Sequence, residues 1–174
     1  MKNVSQTFSL MAILALTSMV LPSGASALAS PQSSDLESLG TSSGTSDESR
    51  SLTSEVHRVE RDESQKLISV TWSIENSGDE QVSMLWLRDR SYSYSGQNFA
   101  GITALDSDAD TRYHPVMDGE GACLCSGSIS NDLVQNLNSG DKVAYWSMFS
   151  VPSDIDSITI EIPNFDPIED VPIS

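Results

Sequence analysis

The chain has 174 residues, with 9 Lys and Arg against 25 Asp and Glu, and a formal net charge of −16 at pH 7. So acidic a chain excludes sequence-independent binding to nucleic acid and disfavours docking on anionic lipid, because both need basic side chains facing phosphate groups. Its two cysteines are too few for a disulfide-dense scaffold or a four-cysteine zinc site. The length fits one domain with additional segments.

The first 29 residues have the pattern of a signal peptide. Lys2 gives a positive start, residues 8–21 are mostly apolar, and Pro22 ends that stretch. Small residues at 25, 27 and 29 predict cleavage between residues 27 and 30. The apolar stretch is shorter than the roughly 20 residues of a spanning helix, so we expect no membrane span after cleavage. The sequence therefore predicts a secreted protein, in the extracellular space or the cell envelope.

Residues 30–54 form a tract dominated by Ser, Thr, Gly and acidic side chains. Such a composition buries too little apolar area to offset the conformational entropy of folding, so it predicts a disordered linker. The linker is interpreted either as a spacer that holds the domain off a cell wall or as a solvated tail without a role. The folded domain is then expected to span 55–174.

From residue 55 onward, apolar and polar residues alternate with the period of two that is typical of half-buried strands. The clearest alternations lie, in chain order, at 68–74, 82–86, 143–149 and 158–162. Residues 102–105 and 112–117 flank an Asp-rich turn and predict a hairpin. The single helical candidate is Ser130–Leu137, at most two turns long. About seven or eight short strands with regular turns predict an all-β, immunoglobulin-like antiparallel β-sandwich, with a small closed barrel as the alternative.

Three segments together resemble a motif of one protein family. They are Ile102–Asp106, Thr111–Asp118 and Cys123–Ser126. The chain is similar here to exported actinobacterial proteins of unassigned function, in which a Tyr-x-Pro hairpin leads into a Cys-x-Cys-Ser loop. The resemblance covers roughly 66–173. It implies an immunoglobulin-like β-sandwich and an extracellular location, and it brings no catalytic residues.

Cys123 and Cys125 are separated by one residue. In an exported protein the expected state is an oxidised pair, which at this spacing requires a tight turn. Two alternatives stay open. One is a pair of free thiols or an exchange site, and the other is metal ligation, for which His114 is the available third ligand.

Asp106, Asp108 and Asp110 alternate as the carboxylates of a calcium loop do. The match is incomplete, because Thr111 stands where such a loop has Gly and Met117 stands where it has a bidentate Glu. The alternative is a solvated hairpin turn in which the Asp side chains stabilise local geometry. We therefore expect no cofactor, and calcium is the alternative for which the sequence offers ligands.

The stretch 88–96 has the composition of a recognition loop. Its candidate binding residues are Arg88, Arg90, Tyr92 and Tyr94. Tyr and Arg offer contact area and hydrogen bonds, and the intervening Ser and Gly allow adaptation. The alternative is an ordinary connection between strands.

The chain contains no phosphate-loop or His-Glu-x-x-His signature, and its one Gly-x-Ser-x-Gly string, at 40–44, lies in the predicted linker and not at a strand-to-helix elbow. His57 and His114 are expected to be surface or packed strand residues. We therefore expect no enzyme. The favoured function is a secreted, monomeric, non-catalytic module that binds an extracellular or envelope protein or glycan. The alternatives are a structural accessory domain of another exported or membrane protein and a calcium- or redox-responsive adhesin. The few lysines and many Asp residues also suggest a salt-tolerant host.

Overall fold

The computed structural model describes residues 37–88 and 91–174 of the chain. The predicted signal peptide and residues 30–36 of the predicted linker lie outside the described residues. Within the described part, the elements in chain order are β1 (Gly40–Ser43), β2 (Leu52–Arg61), β3 (Leu67–Asn76), β4 (Val82–Ser83), a 3₁₀ helix (Leu85–Leu87), β5 (Thr103–Asp106), β6 (Thr111–Tyr113), β7 (Asn136–Leu137), β8 (Lys142–Ser150), β9 (Ser157–Glu161) and β10 (Ile168–Pro172).

The strands form two four-stranded antiparallel sheets, with orders β1-β2-β3-β8 and β10-β9-β5-β6, and β4 pairs with β7 in a small third sheet. Buried side chains of both large sheets meet in one hydrophobic cluster. At its centre the Trp72 and Tyr145 rings lie 4.8 Å apart, and the Phe99 ring lies 5.1 Å from Tyr145. The predicted class, an all-β antiparallel sandwich, is confirmed.

The alternation predicted for residues 68–74 is the inner face of β3. Ile68, Val70, Trp72 and Ile74 are all fully buried. The strand is central in its sheet, paired with β2 on one side and with β8 on the other. Side chains of a strand alternate between faces, so one apolar face is enough to bury these four residues in the core.

Backbone hydrogen bonds also connect the edges of the two large sheets. On one side, the Thr45 amide donates to the Asn164 carbonyl oxygen at 2.8 Å, which ties the end of β1 to the segment before β10. On the other side, the Val116 amide, just after β6, donates to the Met148 carbonyl oxygen of β8 at 2.8 Å. The sandwich is therefore joined at both lateral edges, which leaves fewer backbone groups unpaired there.

The predicted boundary at residue 55 is wrong, because the fold includes β1 and the whole of β2. Ser42 and Ser49 are buried. The Ser42 hydroxyl donates to the Asp166 carbonyl oxygen at 2.6 Å, and the Ser49 hydroxyl donates to the Asn164 carbonyl oxygen at 2.7 Å. Small polar residues are suited to this role, because they let two backbones approach closely and satisfy carbonyl groups that the contact buries.

Two further predicted elements are wrong. Residues 82–86 are not one strand, since β4 ends at Ser83 and the 3₁₀ helix follows, in which a repeat of three places Met84 and Leu87 on the same buried side. Ser130–Leu137 is not a helix, since the left-handed backbone of Asn131, at φ 57°, interrupts it before β7 begins. In the described part of the chain, no helix is long and apolar enough to span a membrane.

Candidate functional site

Two adjoining cavities lie where the loop 91–95 meets the end of β6. Each has a volume of about 330 Å³, and they share Arg112 and His114 as a common wall. We call the pair the tyrosine groove. The first cavity is lined by Ser91, Gly101, Thr103, Arg112, His114, Glu161, Ile162, Pro163, Asn164, Phe165 and Pro167, and the second by Tyr92, Tyr94, Arg112, Tyr113, His114, Pro115, Met117 and Ser150.

Tyr92 is the exposed aromatic residue of the groove, with half of its surface open to solvent (50%). Its ring centroid lies 4.8 Å from that of His114 in an edge-to-face contact and 6.1 Å from that of Tyr94. Such aromatic contacts restrict ring orientation and contribute about 0.5–1.5 kcal/mol each beyond the area they bury. Tyr92 therefore presents a large side chain to solvent from a supported position.

Tyr94 is fixed by a hydrogen bond and by packing against buried residues. Its hydroxyl donates to the Pro115 carbonyl oxygen at 2.7 Å, and its ring packs on a small buried cluster of Ala100, Cys123 and Cys125. This cluster is separate from the main core. The structure thus connects the predicted recognition loop to the Cys-x-Cys segment, which sequence spacing alone did not reveal.

Cys123 and Cys125 form a disulfide, with Cα atoms 5.3 Å apart, as expected for an oxidised pair in a tight turn. Both residues are buried. Because the bridge closes a very short loop, it stabilises the fold little through the unfolded state, and its effect is to stiffen the support under Tyr94.

An ion pair lies in the wall of the first cavity. The Arg112 guanidinium donates to Glu161 Oε1 at 2.9 Å, and the Thr103 hydroxyl donates to Glu161 Oε2 at 2.8 Å. Arg112 comes from β6 and Glu161 from β9, with β5 between them. The wall therefore offers donor and acceptor groups side by side without a local excess of charge.

Asp132 anchors the loop that follows the disulfide. Its carboxylate accepts hydrogen bonds from the Gly127 amide at 2.9 Å, the Ser126 hydroxyl at 3.0 Å and the Trp146 indole N–H at 2.7 Å, and also from the Ser130 hydroxyl. Burial alone would raise the pKa of Asp132, but these hydrogen bonds outweigh it and hold the pKa below its ordinary value.

Replacing Asp132 by Asn is expected to lower the free energy of unfolding by about 1–2 kcal/mol at pH 7, because charge-assisted hydrogen bonds are lost at a partly exposed site. A carboxyl whose pKa is depressed by folding stabilises the fold above its unfolded-state pKa of about 3.9, and this contribution is lost as the pH falls through the folded-state pKa. Urea unfolding of wild type and Asp132→Asn measures the free energy of unfolding of each protein at pH 7 and at pH 3.

The difference in free energy of unfolding between wild type and Asp132→Asn should be smaller at pH 3 than at pH 7. Asp79→Asn, at an exposed turn, is the matched control and should change stability by less than about 0.5 kcal/mol at either pH. A gap that stays constant with pH would show that the carboxylate charge is not what holds the loop.

Of the two predicted arginines, only Arg88 lies in the described part of the chain, and it does not line the groove. Arg88 is exposed at the end of the 3₁₀ helix, and its backbone amide donates to the Leu85 carbonyl oxygen at 3.4 Å. Arg90 lies outside the described residues. Arg112 and His114 line the groove, and the sequence did not predict this because strand pairing, not proximity in sequence, brings them to Tyr92.

The predicted calcium residues lie in the turn between β5 and β6. Asp106 Oδ1 accepts the backbone amides of Asp108 and Ala109 at 3.1 and 3.3 Å, and Asp110 has a left-handed φ of 49°. This geometry is that of an Asx-stabilised hairpin turn. Across residues 37–88 and 91–174, no three His, Cys, Asp or Glu side chains are grouped to hold a metal ion. Calcium binding stays a prediction.

His57 is a packed strand residue in β2, at an irregularity of the pairing between Val56 and Arg58. Its Nε2 lies 2.8 Å from the Ser73 hydroxyl oxygen, and its Nδ1 lies 3.2 Å from the Glu37 carbonyl oxygen. Both His57 and Ser73 are buried. Solvent therefore has little access to this pair, and both ring nitrogens of His57 are hydrogen-bonded within the protein.

No protein-family model and no curated protein matches this chain. Among solved structures, the chain is similar to a functionally unknown protein from Listeria monocytogenes EGD-e, at 16% sequence identity and a TM-score of 0.41, over 79% of this chain and 85% of that one. The tyrosine groove is therefore interpreted from its own residues.

Proposed function

We propose that the protein is an exported, non-catalytic module that binds a component of the bacterial cell envelope through the tyrosine groove. The observation that carries the proposal is the half-exposed Tyr92, supported by His114 and Tyr94 at the edge of a groove. Exposed aromatic side chains on a stiff support bind with little loss of conformational entropy, which is why they dominate recognition surfaces. The signal-peptide pattern of residues 1–29 supports a location outside the cytoplasm.

The disulfide and the Asp132 network add to this support. The disulfide packs against Tyr94, and the Asp132 carboxylate fixes Ser126 and Gly127, which directly follow Cys125. A binding site gains affinity when its side chains are held in the bound arrangement before the ligand arrives. The groove is built in this way, and its walls offer hydrogen-bonding groups beside aromatic surface.

The test is sedimentation of the mature protein with a cell-envelope preparation from the producing bacterium. Wild type should co-sediment in a saturable way, and Tyr92→Ala should weaken binding at least about tenfold, because an exposed aromatic anchor is removed. Leu39→Ala is the matched control, since Leu39 is also an exposed apolar side chain (41%) and does not line the groove. Absence of binding, or equal binding by wild type and a folded Tyr92→Ala variant, would overturn the proposal.

A further inference from the structure

We propose that the tyrosine groove binds a neutral carbohydrate chain of at least two sugar units that carry adjacent free hydroxyl groups. The inference rests on the proposed function and assigns the chemical class of the ligand. Three observations carry it: the exposed ring of Tyr92, the ion pair in the neighbouring wall, and the division of the groove into two cavities.

The ring of Tyr92 supplies an apolar surface without closing a pocket around it. A sugar ring has one face of C–H groups and an edge of hydroxyl groups, so it can pack on an aromatic ring while its hydroxyls reach neighbouring polar groups. Tyr92 offers such a surface at the mouth of a shallow groove, with Met117, which is 44% exposed, along the same cavity. An aromatic ring beside hydrogen-bonding side chains suits a ligand that is apolar on one face and polar at its edge.

The hydrogen-bonding groups of the first cavity match hydroxyl groups. Arg112 can only donate hydrogen bonds, ionised Glu161 can only accept them, and a hydroxyl can do both. The two side chains are paired at 2.9 Å, and Arg112 remains about half exposed (52%) while Glu161 is 25% exposed. A ligand with adjacent hydroxyls can therefore bond to both members of the pair without breaking it.

The same pair argues against a charged ligand. Arg112 and Glu161 neutralise each other, so the wall offers neither an anionic nor a cationic ligand an unpaired charge to bind. Removing a charged ligand group from water without such a partner is costly, whereas neutral hydroxyls exchange hydrogen bonds with water for hydrogen bonds with the wall.

The two cavities lie on either side of His114 and share Arg112, so a ligand that fills both must be extended. Each cavity is open to solvent and of similar volume, about 330 Å³. A chain of repeating sugar units fits this arrangement, with one unit against Tyr92 and the next against the Arg112–Glu161 pair. A proline-rich peptide is the main competitor, because it also binds aromatic grooves, but it presents few groups for the ion pair.

The experiment uses the same envelope preparation after three separate treatments. Proteinase K removes exposed protein, mild periodate cleaves the vicinal diols of sugars, and 0.5 M NaCl screens charge beyond about 4–5 Å. We expect binding to survive proteolysis and salt and to fall at least tenfold after periodate. Binding that is lost on proteolysis and kept after periodate would overturn the inference in favour of a protein ligand, and binding lost in salt would overturn it in favour of a charged ligand.

Two variants connect the result to the groove. Glu161→Gln keeps the shape of the side chain and replaces one acceptor with a donor, so it should weaken envelope binding several-fold while Leu39→Ala binds as wild type. Circular dichroism and the melting temperature show that each variant is folded. If Tyr92→Ala loses binding but the periodate-treated envelope still binds wild type, the carbohydrate inference fails and the proposed binding function stands. If the envelope does not bind wild type at all, both fail.

Discussion

Replacing Asn76 by Asp is expected to lower the free energy of unfolding by about 3–5 kcal/mol at neutral pH, the range for leaving an unpaired charge buried. Asn76 is fully buried at the end of β3. Its Nδ2 donates to the carbonyl oxygens of Glu80 at 2.7 Å and Leu137 at 3.1 Å, and its Oδ1 accepts from the Gly78 amide at 3.0 Å. The substitution preserves shape but turns two hydrogen bonds into contacts between oxygen atoms.

The pH dependence identifies the cause. Burial and the facing carbonyl oxygens raise the folded-state pKa of the new carboxyl above its unfolded value of about 3.9, because both disfavour the charged form. The variant is therefore most stable below the unfolded-state pKa, where the carboxyl is protonated, and it loses stability as the pH rises through the folded-state pKa. Urea unfolding of Asn76→Asp and wild type at pH 3.5 and pH 7 measures the difference.

Asn136→Asp is the matched control, since it makes the same chemical change at an exposed position of β7. It should change stability by less than about 0.5 kcal/mol. Two results would contradict the account in which Asn76 bridges β3 to the β4 and β7 segments. One is a loss of stability for Asn76→Asp as small as that of the control, and the other is a loss of stability that does not decrease at acid pH.

Gly44→Ala is expected to destabilise the fold by about 2–3 kcal/mol, as overpacking against a rigid neighbour does. A Cβ atom at Gly44 would clash with the Ser49 carbonyl oxygen, which is part of the backbone and cannot move aside as a flexible side chain can. Ser49 is fully buried and holds the Asn164 carbonyl oxygen through its hydroxyl at 2.7 Å. The methyl group would therefore force apart the β1–β2 connection and the segment before β10.

Chemical unfolding measures this loss, and limited proteolysis followed by mass spectrometry shows whether cleavage begins within 40–51. Gly119→Ala is the control, because its Cβ would meet nothing within 4 Å. If Gly44→Ala were as stable and as protease-resistant as Gly119→Ala, residues 40–51 would be a linker after all and the corrected domain boundary would be wrong.

The strands that can be predicted from the sequence are those with one wholly apolar face. β3 places Ile68, Val70, Trp72 and Ile74 in the core, and such a face can be recognised from a period of two without knowledge of its partners. The β5–β6 hairpin was also predicted, because a polar turn between short apolar runs is a local signal. The tight turn at Cys123 and Cys125 was expected from their spacing, because two cysteines one residue apart can pair only across a tight turn.

The missed elements are stabilised by contacts that are distant in sequence. β1 has almost no apolar side chain, and it is a strand because its backbone pairs with β2 and Ser42 bonds to the Asp166 carbonyl. Asp132 looked like part of a helix, and its role depends on Ser126 and Trp146. Neither the pairing of β1 with β2 nor the hydrogen bonds of Asp132 can be recognised from the composition of these segments.

The sequence by itself determined the all-β class and placed the two cysteines within reach of each other, because strand alternation and cysteine spacing are local properties of a chain. The tertiary structure decided where the domain begins and which side chains share a surface. Tyr92 and Arg112 line the same groove because β5, β6 and β9 pair side by side and the loop 91–95 packs over their end. That juxtaposition depends on the register of pairing between distant strands, which depends on the whole set of backbone hydrogen bonds and buried side chains.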